Sequence, residues 1–95
     1  MKAIKAAIAL ALLPAIVLAH AGGRDIRGTI ARVEKNAVTV KRGDGVQEAV
    51  PLVDSTTYHV GDTSGQWTDM HIGSRVVVHI AHNGNAIAIY LPARK

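Results

Sequence analysis

Cysteine is absent from the chain, which removes disulfide staples, thiolate metal sites and thiol nucleophiles together. Long segments of helical periodicity are missing after Gly23, which excludes a helical bundle. Rings are scarce: Trp67, Tyr58 and Tyr90 are the only aromatic side chains. A chain with so few rings and no dense Lys/Arg cluster is a poor nucleic-acid binder, because base stacking and phosphate neutralisation both lack their groups. Catalytic groupings are missing as well. The carboxylates Asp25, Glu34, Asp44, Glu48, Asp54, Asp62 and Asp69 fall mostly in turns or at strand ends without a spaced pair for acid–base work. Ser55, Ser64 and Ser74 stand in turns, with no nucleophile elbow around them. These absences argue against an enzyme.

What is present begins with a secretory pattern. Lys2 and Lys5 give a positive start, Ala6 to Leu18 form an apolar stretch interrupted by Pro14, and small residues follow at Ala19 and Ala21. The stretch is too short and too rich in Ala to span a bilayer, so it reads as a signal peptide that is removed, leaving no membrane span. Residues 1–19 form the expected signal, and a cut after Ala21 satisfies the same rule. The first cut leaves His20 as the N-terminal residue, with its amine and ring nitrogen as a chelating pair; the second discards it. Loss of the two lysines would lower the formal net charge from +4 by two, to +2. The expected location is periplasmic.

Residues 24–92 read as one all-β domain, and 93–95 as a polar tail. The first strand spans Asp25 to Val33, and its apolar phase changes between Ile30 and Val33, the mark of a bulge. Val38 and Val40 alternate with Thr39 in the second strand, and the Arg42-Gly-Asp-Gly45 hairpin leads into a third at Val46 to Val53. That strand turns Val46, Val50 and Leu52 inward, while Pro51 marks an edge. Thr56 to Val60 is a fourth strand, and Gly61 to Gln66 a flexible loop. Trp67 to Ile72 reads as a helical turn with Thr68 as its N-cap and Gly73 as its stop. Arg75 to Ala81 and Asn85 to Leu91 form a closing hairpin about Asn83-Gly84. A bent first strand, a meander, one helical turn and a closing hairpin predict a small OB-like antiparallel barrel of five to six short strands. An open sandwich of the same strands is the alternative.

Gly28-Thr-Ile-Ala-Arg-Val33, Asn36-Ala-Val-Thr-Val40, Asp44-Gly45, Ser55-Thr-Thr-Tyr58, the run from Thr68 to Val78, and Asn85-Ala86 resemble a family of uncharacterised bacterial exported domains. The resemblance covers nearly the whole chain after the signal. It implies an OB-like fold and supplies no catalytic residues. Met70 stands where that family usually has Leu, and Ser74 where it usually has Asp. A more distant similarity is to the periplasmic copper and silver efflux chaperones, which bind Cu(I) through His, Met and a capping Trp. Trp67-Thr-Asp-Met70 has the first spacing of their motif, and Ile72 replaces its second Met.

Five histidines (His20, His59, His71, His79 and His82) and Met70 provide an inventory that suits copper or zinc. The expected metal ligands are His20, Met70 and His71 with Trp67 beside them. Against this, Met70 and Ile72 read most simply as an apolar plug that closes one barrel end under Trp67, and His79 and His82 as solvated side chains. The leading expectation is a non-enzymatic periplasmic module that binds a protein or small ligand on the barrel face and the 61–66 loop. A copper or zinc carrier is the alternative.

Overall fold

A computed structural model describes residues 23–94; the expected signal peptide and His20 lie outside them. The strands are β1 (Arg24–Glu34), β2 (Ala37–Arg42), β3 (Gln47–Pro51), β4 (Thr57–Val60), β5 (Thr63–Ser64), β6 (Arg75–Ile80) and β7 (Ala86–Leu91), with a 3-10 turn at Trp67–Asp69 before β6. They form one seven-stranded sheet in the order β3-β2-β1-β6-β7-β4-β5.

Strand β1, at 11 residues the longest, pairs with β2 on one side and β6 on the other. Gly28 and Thr29 face Arg42 and Lys41 of β2 and also Val76 and Arg75 of β6. The strand can do this only with glycine at position 28, where a Cβ would lie 2.1 Å from the Lys41 carbonyl oxygen. Farther along, the β1–β2 register skips between Ile30 and Arg32, which is the bulge that the change of apolar phase implied. The β2–β3 hairpin turns on Gly45, whose φ of 88° suits glycine; the Asp44 carboxylate accepts the Val46 N–H at 3.0 Å.

One face of the sheet is the core. Ile26 and Ile30, Val38 and Val40, Val50, Val60, Val76, Val78 and Ile80, and Ile89 and Leu91 alternate inward from six strands into one cluster. A single sheet can bury that face only by curling. In a flat sheet Arg24 and Glu48 would lie about 20 Å apart, two strands across and six residues along. They form an ion pair instead.

Several expectations need correction. The sheet is mixed, because β4 runs parallel to β7. It comprises seven strands, and its ladder does not close into a barrel: β3 ends it on one side and β5 on the other. The reason lies at Leu52–Thr56, where the chain leaves one edge of the sheet and re-enters near the other without pairing across. Thr56 holds this seam. Its buried hydroxyl donates to the Ala86 carbonyl at 2.7 Å and accepts the Val53 N–H at 2.9 Å. The 61–66 segment is no free loop, since Thr63 and Ser64 pair with β4. Gln66, not Thr68, caps the 3-10 turn, its N–H donating to the Asp69 carboxylate at 2.7 Å. Val46 and Ile72 are exposed at 48% and 71%: the first sits at the hairpin bend, and the second follows a turn too short to return it inward.

Candidate ligand-binding face

Alternation along the strands sends a second set of side chains to the outer surface, and pairing arranges them in rows. The first row is Lys41 of β2, Thr29 of β1 and Arg75 of β6. The second is Arg27, Val77, Tyr90 and His59, crossing β1, β6, β7 and β4. The third is Asp25, His79, Ala88 and Thr57.

The charges of these rows differ in how they are satisfied. Asp25 accepts from the His79 ring at 2.5 Å. Arg27, Lys41 and Arg75 are exposed and form no salt bridge among the described residues. By contrast, Arg24 and Arg42 engage Glu48, and Arg42 also reaches Asp44. The Arg24 guanidinium holds the Glu48 carboxyl below the ordinary carboxylate range. The Val46 N–H and then Arg42 do the same to Asp44.

Beside the free cations stands an aromatic shelf. Tyr90 is 45% exposed, and its ring stacks on His59 with centroids 4.8 Å apart and planes 15° from parallel. The His59 Nε2 lies 3.0 Å from the Thr57 hydroxyl, which fixes the imidazole against the strand. Arg27, Thr29, Lys41, Arg75, Val77 and Tyr90 line an open groove of about 970 Å³.

A second groove, of about 870 Å³, follows the seam between Leu52, Val53, Tyr58 and Trp67. Burial pushes the Tyr58 phenol above its ordinary range. The Trp67 indole N–H donates to the Glu34 carbonyl at 3.1 Å, laying the ring over the end of β1.

The expected metal ligands are placed as follows. Met70 is buried in the core, His71 is exposed, and Trp67 lies at the surface with its nitrogen engaged. Among the described residues no three His, Asp or Glu side chains cluster at metal-ligand spacing. His59 and His79 belong to the outer face, and His82 is exposed in the last hairpin.

Arg27, Lys41 and Tyr90 were not among the candidates drawn from the sequence. Their outward direction was readable from alternation about Ile26, Val40 and Ile89, as it was for Arg75 beside His79. Which strands lie side by side was not, and that alone brings the residues together. No known protein family, curated protein or solved structure matches the chain.

Proposed function

We propose that the protein is a non-enzymatic, exported binding module, OB-like in its chain connectivity, that takes its ligand on the outer face of β2, β1, β6, β7 and β4. Export rests on the Lys2/Lys5 start, the Ala6 to Leu18 apolar stretch and the small residues at Ala19 and Ala21. The connectivity rests on a bulged first strand shared by two neighbours, with a parallel β4–β7 pair bringing the chain back.

The observation that carries the binding reading is the set of three cations without acidic partners beside a buttressed ring. Arg24, Arg32, Arg42 and Arg94 each have a carboxylate partner, whereas Arg27, Lys41 and Arg75, gathered on one face, have none among the described residues. A rigid sheet face that keeps three unpaired and adds an exposed tyrosine presents recognition groups on a fixed scaffold.

Amide NMR of the chain purified from the exported fraction tests this. The titrants are a panel of anionic, neutral and cationic small molecules and short peptides. Shifts should centre on Arg27, Thr29, Arg75, Val77 and Tyr90. Shifts confined to the Trp67 seam, or chemical conversion of any panel compound, would overturn the reading.

A further inference from the structure

Resting on that reading, we infer that the ligand is an anionic saccharide, with a phosphate or sulfate group over Thr29 and a sugar ring on Tyr90.

Thr29 is the centre of the cationic group. Lys41 and Arg75 flank it on the neighbouring strands, and Arg27 lies two residues before it on the same face. Strand spacing places the Lys41 and Arg75 Cα atoms about 10 Å apart, with Arg27 about 8 Å from each. Long, flexible side chains from three such points can reach the space over the Thr29 hydroxyl, in the groove that the four residues line together. Three cations set in a triangle about a hydroxyl do not lie in the single plane that holds a carboxylate's lone pairs. They match a tetrahedral oxyanion with three terminal oxygens.

The ligand must have a second part. Tyr90 is two strands from Thr29 and one row away, roughly 12 Å on the same spacings, so one oxyanion cannot meet both. The chemistry around the ring identifies that part as a sugar. A stack of bases wants successive rings, and Tyr90 is the one tyrosine or tryptophan in these rows. Its neighbours are Val77, which meets an apolar sugar face, and the Thr57–His59 and Asp25–His79 pairs, whose polar atoms not used within each pair face sugar hydroxyls. That is the environment for a ring edged with hydroxyls.

Calorimetry with the exported chain decides it, using a phosphorylated disaccharide, a sulfated one, their unmodified parent, inorganic phosphate and a mononucleotide. The modified disaccharides should bind with Kd below about 1 mM, and the parent at least about tenfold more weakly. Their relative affinities separate a phosphate from a sulfate source. Combined Arg27→Ala, Lys41→Ala and Arg75→Ala should remove that preference, and Arg75→Gln alone should weaken it about threefold. Circular-dichroism melts should be unchanged, because all three side chains face solvent. Tyr90→Ala should weaken the disaccharides and leave inorganic phosphate as it was.

Equal affinity for the unmodified parent, tighter binding of the mononucleotide, or wild-type affinity in the triple variant would overturn the inference. If a neutral or cationic compound shifts the face amides while these anions do not, the saccharide assignment falls and the binding-module reading stands. If no compound shifts that face, both fall.

Discussion

Where β1 begins, Arg24 and Arg42 hold Glu48 between them across the curled sheet, whereas where β1 finishes, Met70 lies buried beneath a 3-10 turn roofed by Trp67. The two ends solve one problem with opposite chemistry. A small sheet that curls without closing its ladder leaves its core open to water at both mouths. At the ionic end, three charged side chains bridge β1, β2 and β3, with the Arg24 side chain 54% exposed. Solvent screens such a network, so it fixes geometry more than it adds stability. At the apolar end, the Gly73 N–H donates to the Ile30 carbonyl at 2.7 Å and the Ile30 N–H to the Ser74 carbonyl at 2.8 Å. Those bonds press the turn onto β1 and drive Met70 into the cluster, where burial itself stabilises.

The sharpest way to break this contrast is at Met70. Met70→Ala removes a buried side chain from the apolar mouth and should cost about 3 kcal/mol. Urea unfolding measures it. A cost below about 1 kcal/mol, equal to that of an exposed ion pair, would erase the distinction between the ends.

Thr56 offers the next largest effect, since it joins the seam to β7. Thr56→Val keeps the shape and strands the Ala86 carbonyl and Val53 N–H without the hydroxyl, for a loss of about 2 kcal/mol. Thr56→Ser restores both hydrogen bonds and should recover most of the loss, a comparison read from the same unfolding curves. Equal stability of the Val and Ser variants would show that the seam is held by packing alone.

Much of this architecture was legible locally. The alternation of Val76, Val78 and Ile80, the Asp44-Gly45 and Asn83-Gly84 turns and the bulge after Ile30 are set by residues within a few positions of one another. What escaped depends on distant partners. Nothing near Thr57 announces that β4 will lie parallel to Ala88–Leu91, and nothing near Leu52 announces that the ladder will stop there. Thr63 and Ser64 form a strand only because His59 and Val60 are there to receive them. The same division governs the candidate face. Alternation sends Lys41, Arg27 and Arg75 outward, yet only the order β2-β1-β6 gathers them around Thr29. Adjacency in the sequence groups Trp67, Met70 and His71, yet a single turn of chain sends Met70 inward and His71 to the surface.

The smallest effect belongs to the ionic mouth, and acid isolates it. Arg24, chiefly through its hydrogen bond, holds the Glu48 carboxyl below its unfolded value. The pair's contribution is therefore complete above the unfolded carboxylate range and is lost as the pH falls through the lower folded value. Asp44 and Asp69 are shifted in the same direction, so the wild-type melting temperature should begin to fall below about pH 4. Glu48→Gln should cost at most about 1 kcal/mol at neutral pH in low salt, and less in high salt. The variant should also show a shallower acid decline, because one of the three depressed carboxyls is gone. Melting curves of both proteins between neutral and acid pH make the comparison. An acid decline as steep in Glu48→Gln as in the wild type would place the acid-sensitive groups elsewhere and reduce the Arg24–Glu48–Arg42 bridge to a contact without energetic weight.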